Sequence, residues 1–224
     1  CLNIDNVDTD AGTLDIYMTN QAGCSYCTDP TYNNQNHCES FGNDGSGDAS
    51  WVFDSSMNES GCETLNGNWF NGEVGGFQFE LTGITITGAS SGTASEYFAI
   101  VNTTSSTILG FDMSGGTIPP GSGTLTQVTF TAFEGQEICF GEDTGSSGAT
   151  AISGDEGQYI AAEWGDCYCA LEFDECGVCG GNGIADGTCD CDGNAEDCTG
   201  ECGGSVELDE CGVCGGDGTA CECN

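Results

Sequence analysis

The sequence contains no lysine and no arginine among its 224 residues, and a single histidine, His37. Against them stand 37 Asp and Glu, giving a formal charge of −37. Nucleic acids and anionic lipid surfaces are held chiefly through Lys and Arg contacts, so both are excluded as partners. P-loop, phosphoryl-transfer and Schiff-base chemistry each require a Lys or Arg as well. His37 has no Ser or Cys nucleophile motif around it and reads as a surface residue rather than a general base. So many acids provide carboxylate pairs of the glycosidase kind, yet the cations that orient a substrate are absent. The chain is therefore expected not to be an enzyme. Charge of this size repels itself, so neutralisation is expected from solution, by bound divalent ions or a salty medium.

Long apolar runs are absent too, so no membrane insertion is expected. The start lacks the pattern of a signal peptide, and the chain reads as a mature product. Cysteine, by contrast, is abundant: 18 residues, an even count. With one histidine available, zinc sites are a poor account of them. A disulfide framework in an oxidising compartment is the better one, which places the protein outside the cell or at its surface. The expected disulfide cysteines are Cys1, Cys24, Cys27, Cys38, Cys62, Cys139, Cys167, Cys169, Cys176, Cys179, Cys189, Cys191, Cys198, Cys202, Cys211, Cys214, Cys221 and Cys223. For Cys1, a disulfide partner is expected in preference to lipidation. The Cys-x-x-Cys pairs Cys24/Cys27, Cys176/Cys179 and Cys211/Cys214 read as structural, because a redox thiolate needs a nearby cation or helix N-terminus to lower its pKa.

Composition changes near Gly165. Residues 1–165 are rich in Thr, Ser and Gly with strict alternation of apolar residues, the mark of half-buried strands. Thr13 to Thr19 and Val74 to Leu81 show it best. Further strands are expected over Ile84 to Gly88, Ser95 to Asn102, Thr107 to Met113, Thr124 to Phe133, Glu137 to Phe140, Ala149 to Ser153 and Gln158 to Trp164. No segment carries a helical period, so the expected fold class is all-β, a sandwich. A cysteine-bearing insertion at about 20–73 interrupts it. Its aromatics Trp51, Trp69 and Phe70 read either as a satellite core or as a surface that stacks on sugar.

Residues 166–224 form a Cys/Gly-rich tail holding 12 of the 18 cysteines. Asp174-Glu175-Cys176-Gly177-Val178-Cys179-Gly180-Gly181 returns 35 residues later as Asp209 to Gly216. Each copy leads to a Cys-x-Cys pair, and the chain stops where another unit would begin. With almost no large apolar residues, such a tail depends on covalent loops for its order. Asp186, Asp190, Asp192, Asn194 and Asp197, with Glu196 nearby, place oxygens at alternate positions around a Gly turn, as calcium loops do. Asp5, Asp8 and Asp10, with Asp15, form a second calcium candidate around Gly12. Asn58 and Asn102 begin glycosylation sequons.

The segments Val74 to Leu81, Ile108 to Phe111 and Gly123 to Phe130 resemble the cohesin-like jelly-roll modules of secreted bacterial surface proteins. That resemblance implies a flattened sandwich used for binding or assembly, with no catalytic residues. The string Asp209 to Gly218 resembles the cysteine-rich repeats of large microbial extracellular proteins. A similar string occurs in the cysteine-rich module of animal metalloproteases with thrombospondin motifs. It implies a matrix or surface context. Two functions are expected from the whole: a structural subunit that joins copies of itself head to tail, or a module binding glycan or protein on a cysteine-rich stalk.

Overall fold

Alternation of apolar and polar residues drives the strands of the first part of the chain, and their inward side chains define its core. A computed structural model describes residues 1–131, 133, 136–143 and 150–218. They fall into two compact units, Cys1–Tyr168 and Cys169–Asn224. The division lies slightly later than the composition change, so Cys167 belongs to the first unit.

The first unit opens with strands β1 (Leu2–Asp8) and β2 (Thr13–Asn20), followed by β3 (Gly23–Cys27), helix α1 (Gln35–Gly45), β4 (Trp51–Asp54), helix α2 (Glu59–Thr64) and β5 (Asn68–Phe70). Next come β6 (Val74–Thr82), β7 (Thr85–Ser90), helix α3 (Gly92–Tyr97), β8 (Ile100–Thr103) and β9 (Thr107–Phe111). The unit ends with β10 (Gly121–Thr131), β11 (Glu137–Phe140), β12 (Ala151–Gly154) and β13 (Tyr159–Ile160); β14 (Tyr168–Cys169) spans the division.

Two antiparallel sheets share one core. The first runs β1-β2-β10-β7. The second is built around β6, which pairs with β9 on one side and with β12 and β11 on the other, β8 and β13 lying beyond. In β2 the alternate residues Leu14, Ile16 and Met18 are buried; in β6, Phe77, Phe79 and Leu81 are. These side chains meet Ile86, Ile108, Leu125, Val128, Phe130, Ile138 and Ile152 between the sheets. Phe79 is central: its ring stacks on Phe77 at 5.5 Å and meets Phe140 edge-on at 5.6 Å, with Trp164 at 6.3 Å. The all-β sandwich expectation thus stands at the level of architecture.

Several local expectations are corrected. Ser95 to Asn102 is not one strand, because the chain turns through α3 and enters β8 only at Ile100. Gly92 opens α3 at φ +68°, and a Cβ there would lie 2.5 Å from the Leu125 carbonyl oxygen. Gln158 to Trp164 forms only the short β13, and Trp164 instead leaves the strand to pack on Phe140. Among the described residues there are three helices where the sequence showed no helical period. In α1, the Asn34 side chain caps the start by accepting the His37 N–H at 3.1 Å, and Cys38 pins the helix by its disulfide.

The insertion is a satellite sheet, β4-β3-β5, stapled by Cys24–Cys62 and Cys27–Cys38. Cys27, Cys38 and Ala49 form a small core against which Tyr32 and Trp51 pack. Phe70 packs on the main core and Trp69 is half-buried opposite Cys24. Of the three aromatics, Trp51 thus follows the satellite-core reading, Phe70 serves the main core instead, and Trp69 belongs to neither cluster. The root of the insertion is closed by buried Asn20, whose side-chain amide donates to the carbonyls of Gly72 at 2.6 Å and Pro119 at 3.0 Å.

Because Phe79 is fully buried between both sheets, Phe79→Ala should cost about 3–5 kcal/mol through lost burial and the cavity left behind. Urea unfolding followed by tryptophan fluorescence measures this, and a loss far below that range would contradict the placement of the core.

Candidate functional site

The tail has no apolar core: among its described residues, Cys179 is the only buried hydrophobic one. Its order comes from carboxylates and disulfides. In the first copy of the repeat, Asp174 Oδ1 accepts the backbone N–H groups of Cys176 and Val178, both at 2.9 Å, while Oδ2 accepts that of Gly183 at 2.7 Å. In the second copy, Asp209 takes Cys211, Val213 and Gly218 at the same offsets.

A third unit with the same plan lies between them. Asp197 Oδ1 accepts the N–H groups of Thr199 at 2.8 Å and Glu201 at 3.1 Å, and Oδ2 accepts that of Val206 at 3.1 Å. Comparison of whole strings hides this unit because Thr199 stands where the other two carry a cysteine. The spacing it shares with them, Asp-x-x-Gly-x-Cys-Gly-Gly, was available to find it. The last glycine of each unit has a steric reason. A Cβ on Gly181, Gly204 or Gly216 would sit 2.0, 2.2 or 2.0 Å from Oδ2 of Asp174, Asp197 or Asp209. The preceding glycines Gly180, Gly203 and Gly215 have φ between +63° and +69°, a region L-residues with side chains rarely adopt.

Four bridges cross-link these units: Cys169–Cys179, Cys176–Cys191, Cys189–Cys202 and Cys198–Cys214. Each opens before the previous one closes, so every peptide bond from Cys169 to Cys214 lies inside at least one disulfide loop. Cys211 is also disulfide-bonded. In the first unit Cys139–Cys167 ties β11 to the end of the sandwich. Cys221 and Cys223 lie outside the described residues. Cys1 departs from expectation: it is exposed and unpaired, and all other described cysteines are already engaged.

No family model matches the chain, and neither a curated protein nor a solved structure does.

The calcium candidates do not assemble a ligand set. Asp190 Oδ1 accepts the N–H groups of Asp192 and Asn194, and its Oδ2 accepts the Asn194 side-chain amide at 2.6 Å. Asp197 is occupied as described, and Asp186 and Asp192 are exposed. At the other candidate, Asp8 Oδ1 receives the N–H groups of Asp10 and Ala11, while Asp15 receives the amides of Asn6 and Gln127. Asp5 and Asp10 point into solvent-exposed surroundings. Among the described residues, the only groups of three metal-ligating side chains are Glu137 with Cys139 and Cys167, and Asp190 with Cys189 and Cys202. Both contain disulfide sulfurs, which are not thiolate ligands. As placed, the candidate carboxylates engage N–H donors rather than converging on one another. Asn58 and Asn102 are exposed, Asn58 also capping α2 by accepting the Gly61 N–H. His37 is exposed on α1 with its ring 6.0 Å from that of Phe41.

The hydrogen bonds that Asp197 accepts, the Thr199 hydroxyl first and the backbone N–H groups after it, hold its carboxyl down to about 2 from an ordinary 3.8. Asp174 and Asp209 are lowered mainly by the N–H groups of Val178 and Val213. A depressed folded-state pKa adds stability that is present above the ordinary value and disappears as pH falls through the folded one. The middle tail unit should therefore keep its order at pH 5 and lose it as pH drops from about 4 to 2. At neutral pH, Asp197→Ala should speed amide hydrogen exchange at Thr199, Glu201 and Val206 while Val213 stays protected. Unchanged exchange at those three amides would contradict the assigned role.

Proposed function

We propose that this chain is a structural subunit of an extracellular filament or surface layer, built to join copies of itself through its cohesin-like sandwich and its cross-linked tail. The observation that carries the reading is the uninterrupted overlap of disulfide loops from Cys169 to Cys214. An overlapped series resists both stretching and cutting, since a single backbone break leaves the pieces covalently joined. That property suits a component exposed to shear and proteases, and disulfides persist in oxidising surroundings. No helix among the described residues is long and apolar enough to cross a membrane.

Contacts between copies have candidate surfaces. Phe173 and Val178 lie one residue before and four after Asp174, and Leu208 and Val213 occupy the same positions around Asp209; all four are exposed. The middle unit, around Asp197, carries Glu196 and Glu201 there. Copies bearing 37 acids each repel one another unless cations screen them, so assembly is expected to need divalent ions or high salt, as a diffuse requirement and not through one coordination site. Free Cys1 offers a further covalent link between copies.

Negative-stain electron microscopy and light scattering of purified protein, with calcium and then with chelator at low salt, test this reading. Regular polymers with calcium that dissolve on chelation are expected, and Phe173→Ser with Leu208→Ser should weaken them. Monodisperse particles under every condition at high concentration would overturn it.

A further inference from the structure

The outward side of the β6 sheet carries a row of residues that neither the core nor the tail explains. Since Phe77 and Phe79 point inward, Gly76, Gln78 and Glu80 face out. The register places Gly76 opposite Phe111 on β9 and Ser153 on β12, and Ser153 opposite Tyr159 on β13. Ile100 on β8 faces Phe111 from the other side. The row therefore runs Tyr159, Ser153, Gly76, Phe111, Ile100 across five strands.

Gly76 makes this row a trough. A Cβ there would lie 3.0 Å from Ser153 Oγ and 3.4 Å from Phe111 Cβ, so the bare backbone is the floor and the two rings are walls. The trough encloses about 250 Å³, with Gln78 and Ser153 in its lining. Three strand spacings separate the backbones of Tyr159 and Phe111, about 14 Å, too far for one small ring to span. The Tyr159 ring is held in place: its hydroxyl donates to the Asp143 carboxylate at 3.0 Å, which in turn accepts the Trp164 indole N–H at 2.8 Å. Burial first, and Asp143 second, push the Tyr159 pKa up to about 12, so the ring stays neutral.

The lining carries no carboxylate, in a chain with 37 of them and neither lysine nor arginine. An anionic ligand would meet the repulsive field of the whole molecule, and a cationic one, though drawn by that field, would find no carboxylate in the lining to pair with. The backbone groups of β6, β9 and β12 are spent on pairing within the sheet, so a peptide could not add there as a strand. Aromatic walls, a flat floor, a hydroxyl and a carboxamide suit a ligand with apolar ring faces and neutral hydroxyls. We infer that the trough between Phe111 and Tyr159 binds an uncharged oligosaccharide. This goes beyond the assembly reading and does not depend on it, because the trough lies wholly in the first unit.

The test uses the full chain and neutral hexasaccharides of glucose and mannose, with hexagalacturonate, a glucosamine hexamer and an uncharged peptide as comparisons. Calorimetry should show binding of at least one neutral hexasaccharide, and NMR of the unaltered protein should show shifts at the amides of Gly76, Gly110 and Ser153. Phe111→Ala and Tyr159→Ala should each weaken binding by roughly tenfold or more, while Tyr159→Phe, which keeps the ring, should retain it. The NMR shifts need no variant, so a misfolded substitution leaves the test intact. Absence of binding by every neutral probe, shifts confined to other surfaces, unchanged affinity in both alanine variants, or preferential capture of a charged probe or the peptide would overturn the inference.

Discussion

A chain without lysine or arginine has almost no internal cation to offer its carboxylates, and this shapes both units. An acid can then be satisfied only by an N–H or O–H donor, by water or by a cation from outside. The tail takes the first route. Asp174, Asp197 and Asp209 each collect three backbone N–H groups, so the negative charge that would otherwise be a liability becomes the organiser of a loop. Hydrogen bonds to an ionised acceptor are stronger than neutral ones, which compensates for the missing apolar core. Glycine follows from the same demand, since the carboxylate fills the space where a Cβ would stand at Gly181, Gly204 and Gly216.

Carboxylates order each loop but do not connect one loop to the next; the disulfides do. Bridges closing 10 to 16 residues each remove unfolded-state freedom worth about 3 kcal/mol on the chain-entropy account. Their overlap matters as much as their number. Isolated staples would leave free chain between them, whereas these share segments such as Cys176 to Cys179 and Cys198 to Cys202. The sandwich rests chiefly on the core that Phe79 and its neighbours bury between its two sheets, with Cys139–Cys167 as an added staple.

How much was legible in advance varies by element. Period-two alternation marked β2 and β6 almost to the residue, because one face of each is buried and the other wet. The helices could not be seen that way: α1 buries little besides Cys38, and it is held by a cap and a disulfide. The repeat at Asp174 and Asp209 was visible as a string, while the middle copy at Asp197 was visible only as spacing. The acidic loop around Gly193 shows why such a spacing has two readings. Oxygens at alternate positions around a glycine, as at Asp190, Asp192 and Asn194, suit a metal loop, but the same spacing suits a carboxylate that accepts the N–H groups two and four residues on. A carboxylate has acceptor sites enough for both roles, so the spacing by itself does not separate them. The trough on the outer sheet was illegible because its parts, Gly76, Phe111, Ser153 and Tyr159, are brought together by strand pairing across 83 positions of sequence, the interval from 76 to 159.

The account turns on the tail behaving as one cross-linked length of chain. Single-molecule pulling of the intact protein, with handles attached beside Cys169 and Gly218, addresses this directly. Under oxidising conditions the segment should show no stepwise lengthening, and addition of a reductant should release its hidden contour. Lengthening without reductant would contradict the overlapped bridges and, with them, the structural role.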